Sequence, residues 1–231
     1  DINHWPHAYG GGGGIRMVGK EKQKMKISII IPYVSDRGYL AEAVESAERA
    51  IDFANVKGEV ILSQSEKGVS HNLNTGIERA TGELVTYLCD DDLLPLESIK
   101  STILGMRGHD FVHGNATTIY EDNFKFVEPR IKRYTPTIKR PSLRQMLETN
   151  FIHGGTVTYK RDIVKGEWFD DDLWCAEEYD FNLFLLYEDK SIGYINNDLY
   201  TYRHHATQKS KQMNNQSERR LEIDKIRDRY R

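Results

Sequence analysis

Apolar residues along the chain fall into two kinds of run. Short, nearly continuous stretches rich in β-branched residues are followed by longer ones in which apolar positions return every three or four residues. Residues 26–31, Lys-Ile-Ser-Ile-Ile-Ile, are of the first kind and predict a strand buried on both faces, as in a parallel sheet. Pro32 and Tyr33 end it. Leu40, Val44, Ala47 and Ile51 return at helical spacing and predict an amphipathic helix over 38–54. Gly58 then precedes a second strand over 59–63. Strand, helix, strand is the βαβ unit, whose crossover is right-handed in nearly all cases.

The alternation continues. A helix is predicted over 70–82, with Ser70 as its cap, Leu73, Ile77 and Ala80 as its apolar side and Gly82 as its stop. The apolar run 83–88 is a strand that ends in Asp90-Asp91-Asp92. Pro95 opens a helix to about Met106, with Ile99, Ile103 and Leu104 facing inward. Two short strands follow at 109–113 and 116–120, a short helix at 141–149 and a strand at 156–159. Residues 168–180 are acidic and aromatic, and they open a helix carrying Phe181, Phe184, Leu185 and Tyr187. Strands at 192–195 and 199–203, then His204-His205, lead to a basic final helix over 217–230. The pattern is that of an α/β fold with a Rossmann-like, mostly parallel central sheet flanked by helices.

Composition adds bounds. The chain has 231 residues, 39% hydrophobic and 29% charged, which suits a globular protein and argues against disorder. A net charge of −3 names no partner, so electrostatic recognition must be local. No apolar run reaches the ~20 residues that span a bilayer, and the first residues lack a secretory pattern. Two cysteines, Cys89 and Cys175, are too few for a disulfide framework or a zinc site and fit a reducing, cytoplasmic setting. Residues 1–24 carry Gly10 to Gly14 and no periodic apolar pattern, and they read as a flexible tail.

Four groups of residues are candidates for chemistry. Asp90, Asp91 and Asp92 end an apolar strand and repel one another unless a cation or a shared proton relieves them. Oxygen-only ligands suit Mg²⁺ or Mn²⁺; the alternative is a solvated turn favoured by the next helix's N-terminus. Glu177 and Glu178 suit the first turn of a helix through its dipole, and equally a general base. His204-His205 is a structural pair or a source of one metal or diphosphate ligand. Residues 125–144 hold seven basic residues against one acid, Glu128: a solvated face, or a grip on a phosphate-bearing acceptor. Asp170-Asp171-Asp172 follows no strong strand and reads as a solvated loop.

From residue 26 to Ser210 the chain resembles the family-2 inverting glycosyltransferases of the GT-A fold. The resemblance rests on blocks in the family's order: Ile27–Tyr33 as the opening strand, then Gly68-Val69-Ser70 with Asn74-Thr75-Gly76-Ile77 and Ala80-Thr81-Gly82-Glu83. Leu88–Pro95 resembles its DXD block, Ala176–Asp180 its "ED" block, and Tyr202-Arg203-His204-His205 its closing motif. Two departures stand out. Ser63-Gln64-Ser65 replaces the run whose aspartate reads uracil, and Leu73 replaces an arginine before the Asn-X-Gly block.

The resemblance implies a GT-A domain over 25–210 with a smaller acceptor-side region, followed by the segment 211–231. It implies transfer of a sugar from a nucleoside-diphosphate sugar, UDP above others, to an acceptor hydroxyl with Mn²⁺ or Mg²⁺ as cofactor. Asp91, Asp90 and His205 become the expected metal residues. Pro32, Tyr33, Ser63, Gln64, Asn74, Asp90 and Asp92 become donor contacts, Glu178 the base and Glu177 its alternative. His153, Gly154, Gly155, Arg133 and Arg140 fall where the family binds its acceptor, a glycan or a modified nucleic-acid base. Rival classes are a sugar-nucleotide nucleotidyltransferase, a phosphatase with an aspartyl nucleophile and a non-catalytic nucleotide-sugar-binding module.

Overall fold

A computed structural model describes residues 25–120, 130–205 and 216–231. The tail 1–24, Lys125, Glu128, Ser210 and residues 211–215 lie outside the described residues. The parallel half is built on β1 (Ile27–Tyr33), which pairs in parallel with β2 (Gly58–Gln64) and with β3 (Leu84–Tyr87). Ile27, Ile29 and Ile31 pack with α1 (Leu40–Ala54) and α3 (Ser98–Gly105). Ile30 points to the opposite face and packs with Leu73 of α2 (Val69–Arg79). Side chains alternate faces along a strand, so a run that is apolar throughout needs cover on both sides. α1 supplies one cover through Ala43, Ala47, Ala50 and Ile51, all buried at helical spacing. Each fully buried isoleucine of β1 contributes ~1.5–3 kcal/mol relative to exposure.

The other half turns antiparallel. β3 pairs with β6 (Thr158–Lys160), and β6 pairs with the start of β4 (Phe111–Tyr120). The end of β4 pairs antiparallel with β5 (Arg130–Tyr134), while β7 (Ile192–His204) runs parallel to β4 over its whole length. The seven-stranded sheet is therefore mixed, with order β2-β1-β3-β6-β4-β5 and β7 on β4. Its described pairings are three parallel and three antiparallel, where the sequence predicts mostly parallel ones. Apolar patterning reports burial and not strand direction. α4 (Leu143–Glu148), α5 (Glu177–Tyr187) and α6 (Gln216–Asp228) cover the face on which Trp168 stacks on Phe181 at 5.2 Å.

Several boundaries differ from the sequence reading. The predicted strand pairs at 109–120 and 192–203 are each one continuous strand. Polar residues at the break hid this: β4 and β7 shift register between Gly114 and Ala116, a bulge that the run Asn196-Asn197-Asp198 absorbs. Residue 68, not Ser70, caps α2, and Ser70 lies buried inside the helix. Gly82 lies beyond the helix end. A Cβ there would meet the Ser28 backbone nitrogen at 2.6 Å, so its need is close approach to β1. Helix α3 starts at Ser98, after a turn in which the Ser98 N–H donates to the Pro95 carbonyl at 2.9 Å. Among the described residues no helix is long and apolar enough to cross a membrane, and both cysteines are free.

Candidate active site

The carboxyl ends of β1 and β3 and the N-terminus of α5 meet at a cavity of about 410 Å³. The strand side brings Pro32, Tyr33, Arg37 and Asp90 to Asp92; the α5 side brings Trp174, Glu177 and Glu178. Asn72 holds the floor in place. Its Nδ2 donates to the carbonyls of Tyr33 at 3.0 Å and Ser65 at 3.1 Å, and its Oδ1 accepts from Ser65 Oγ at 2.6 Å. One side chain of α2 thus ties together the ends of β1 and β2.

The aspartates divide by role. Arg37 Nη2 donates to Asp90 Oδ1 and to Asp91 Oδ2, each at 2.8 Å. His205 Nε2 also lies 3.1 Å from Asp91 Oδ2, and its ring packs on Tyr39 with centroids 4.7 Å apart. Burial pushes the Asp90 carboxyl above its ordinary range, against the pull of Arg37. Asp92 is bound into the framework: its Oδ2 accepts from Tyr200 Oη at 2.6 Å and its Oδ1 from the Arg203 N–H at 2.7 Å. Burial, then the charge of Asp91, pushes Asp92 up to about 8 despite these bonds. Asp92 touches the cavity, yet both its oxygens are engaged by β7.

Glu178 is in the opposite state. It is half-buried in the first turn of α5, and no other side chain hydrogen-bonds to it among the described residues. Burial, with the neighbouring charge of Glu177 next in weight, pushes its carboxyl up to about 7. Two local features aim it. Ala176, just before the helix, has φ 61° and ψ 27°, a left-handed conformation that costs a non-glycine residue ~1 kcal/mol or more. Behind Glu178, a Cβ on Gly154 would sit 2.4 Å from Glu178 Cγ and 2.8 Å from Tyr87 Oη. Only glycine at 154 leaves the Glu178 side chain where it is. Gly155 meets the Tyr200 ring in the same way, its Cβ position lying 2.5 Å from the ring.

The remaining candidates scatter. Gln64 lies beside the strand side, donating to the Val34 carbonyl at 3.1 Å, while Ser63 is buried next to it. Asn74 is not at the cavity: its amide donates to the Phe169 carbonyl at 2.7 Å and accepts from the N–H groups of Trp168 and Phe169. A residue expected to contact the donor instead pins the turn that carries Asp171. His153 stands among Tyr134, Tyr200 and Tyr202, and burial lowers it to about 4, so its ring is neutral. Arg133 belongs to the exposed strand β5 and pairs with Asp198 at 2.8 Å, and Arg140 is exposed; neither lines the cavity. Arg37, Asn72, Trp174 and Arg219 do line it and carry no sequence signal of their own, and Tyr202 of the closing motif lines it too.

The residues fit a hard divalent cation. Asp91 Oδ1 has no protein partner among the described residues, and ligand atoms of Cys89, Asp91 and Asp92 lie within 4.8 Å of one another. Burial, then the charges of Asp92 and Asp91, raises the Cys89 thiol well above its ordinary value, so carboxylate oxygen is the available donor.

The mixed α/β sheet delivers paired aspartates and a raised glutamate to one cavity, at the carboxyl ends of its parallel strands. The family model for glycosyl transferase family 2 matches residues 43–168, more than half of the chain, and the chain belongs to that family. It is 23% identical to the uncharacterized glycosyltransferase EpsJ of Bacillus subtilis, over 77% of this chain and 60% of that protein. It is 24% identical to the GalNAc(5)-diNAcBac-PP-undecaprenol beta-1,3-glucosyltransferase of Campylobacter jejuni, over 77% of this chain and 64% of that one. The crystal structure of S. aureus TarS 1–349 shares its fold, with TM-score 0.57 and 18% identity over 78% of this chain and 60% of that one. The same protein in complex with UDP-GlcNAc gives a TM-score of 0.58 at 18% identity, over 80% of this chain and 60% of that one. The chain thus spans under two thirds of the length of each of these relatives. Family and GT-A fold are thus those its sequence blocks imply.

Proposed function

We propose that this glycosyltransferase is a metal-dependent inverting enzyme that moves a sugar from a UDP-sugar to a glycan hydroxyl. The observation that carries the reading is the pairing within one cavity of Asp90 and Asp91 with Glu178, a carboxyl raised to about 7. A base must be free to take a proton near neutral pH, and Glu178 has the environment for it. Asp91 and Asp90 would hold Mn²⁺ or Mg²⁺, with His205 beside Asp91. Bound there, the ion would neutralise charge on the leaving diphosphate. Pro32 and Tyr33 form the donor side, and Glu178 takes the acceptor proton as the hydroxyl attacks the anomeric carbon. One displacement inverts that carbon. Glu177, also at the cavity, is the alternative base.

The UDP reading is supported by a TarS structure in complex with UDP-GlcNAc. A glycan acceptor agrees with the Campylobacter relative's name and with Trp174, an aromatic surface at the cavity on which a sugar face can stack. The nucleic-acid alternative has less support, because Arg133 pairs with Asp198 and, like Arg140, lies outside the cavity. Incubation with a panel of nucleoside-diphosphate sugars and Mn²⁺ tests the proposal. It expects nucleoside diphosphate as product. Pyrophosphate would identify a nucleotidyltransferase, and binding without turnover under any acceptor a binding module.

A further inference from the structure

The cavity is strongly acidic for a site that takes a diphosphate. Asp90, Asp91, Asp92, Glu177 and Glu178 line it, against two cations, Arg37 and Arg219. Leu73, at the position where the resemblance leads one to look for an arginine, is 1% exposed in the core and offers nothing to a phosphate. Arg219, on the α6 side, makes no ion pair among the described residues, and its charge acts on Glu178 and Cys175. The charge on the strand side therefore comes from Arg37 alone among the described lining residues.

Arg37 is held in an unusual way. Both of its bonds to the aspartates leave from one nitrogen, Nη2. Nε and Nη1 have no acceptor among the described residues, and the side chain keeps 29% of its exposure at the cavity. Its loop is fixed on the C-terminal side, where the Gly38 N–H donates to Asp36 Oδ1 at 2.7 Å, one residue before the Tyr39 ring that packs on His205. With Nη2 engaged, the Nε–H and the Nη1 hydrogens stay in the rigid guanidinium plane as separate charged donors, each able to take one phosphate oxygen. Asp91 Oδ1 stays open beside it, so the anchored arginine and a cation on Asp91 do not compete for the same oxygen.

We propose that Arg37 is a diphosphate-binding residue of the donor site: it grips Asp90 and Asp91 through Nη2 and offers Nε and Nη1 to the phosphates. It also fixes the orientation of Asp91, leaving Oδ1 to the cation. This rests on the reading of the cavity as a nucleotide-sugar site, and it places the phosphate contact on the loop after β1.

Calorimetric binding of inorganic pyrophosphate, UDP and uridine, each with Mn²⁺, tests it on the wild-type chain and on Arg37→Met and Arg37→Lys. Loss of charge-assisted bonds to phosphate predicts Kd values for pyrophosphate and UDP raised at least about tenfold in Arg37→Met. Arg37→Lys, which keeps the charge and loses the several fixed donors of the guanidinium, is expected to fall between, and uridine to bind all three proteins alike. Equal pyrophosphate affinity in wild type and Arg37→Met overturns the proposal, as does a parallel loss of uridine binding, which would mark a collapsed site. Absence of pyrophosphate binding by the wild type also overturns it. The wider reading fails by a different result, the absence of nucleotide-sugar turnover by the wild-type chain.

Discussion

Asp90 and Asp91 share one guanidinium, whereas Glu178, lining the same cavity, has no side-chain partner. Both groups are acidic clusters beside the start of a helix, and sequence alone gives them the same bland explanation. Their surroundings separate them. The strand-side pair is held in place by hydrogen bonds, Arg37 to both carboxylates and His205 beside Asp91. The α5 carboxyl is buried against Gly154 and Tyr87 without a cation in contact, so its proton affinity rises. Two carboxylate sites in one cavity thus differ in their partners, one tied to a guanidinium and one left without a side-chain bond, and the proposed function gives them different tasks, binding a cation and moving a proton.

The largest expected effect separates those roles. Glu178→Gln keeps shape and burial and removes the proton acceptor; turnover is expected to fall by ~10²–10⁴-fold with UDP affinity unchanged in calorimetry. A variant as active as the wild type would move the base to Glu177. Asp91→Asn is its counterpart. Metal-stimulated turnover and Mn²⁺ affinity measured by paramagnetic resonance are both expected to drop, by more than about tenfold for affinity, with circular dichroism unchanged.

A subtler variant attacks the positioning of the base. Gly154→Ala puts a methyl 2.4 Å from Glu178 Cγ. The side chain must swing away, and kcat is expected to fall ~10–100-fold while donor Kd holds. Tyr200→Phe removes the bond to Asp92 and the acceptor for the Cys89 N–H. The account expects a loss of ~1–3 kcal/mol in denaturant unfolding, larger than its effect on donor affinity.

The smallest effect is on pH dependence. With Glu178 raised to about 7, activity should rise with pH through that value, and Glu178→Gln should abolish that limb. Stability moves the other way. The folded state keeps a proton that the unfolded chain releases from about 4.5 upward, so this group's contribution is lost as pH rises toward 7. The thermal midpoint of Glu178→Gln should therefore change less than that of the wild type as pH rises from about 4.5 to about 7.

Much of this division was visible in the chain. The βαβ start, the strand that ends in aspartates and the helix that opens on Glu177-Glu178 follow from apolar period and turn residues, and the structure has each of them. Strand direction in the second half was not legible, because β6 and β4 bury the same residue types whichever way they run. Bulged strands were read as broken ones, since Asn196, Asn197 and Asp198 interrupt the pattern. Within the site, carboxylates advertise themselves by clustering. Arg37 does not, because an isolated arginine in a loop gains meaning only when folding brings it within 2.8 Å of two aspartates 53 and 54 residues away. Asn74 shows the converse: a polar residue inside a family-like block that folding uses to hold a turn.

The central claim is that a cation-binding aspartate pair and a separate base act on one nucleotide sugar. It is tested most directly by following nucleoside diphosphate release from UDP-sugars with Mn²⁺, with chelator, and in Glu178→Gln. The account predicts release with Mn²⁺, none with chelator, and release slowed by at least about a hundredfold in the variant. Release that neither chelator nor Glu178→Gln alters would contradict it.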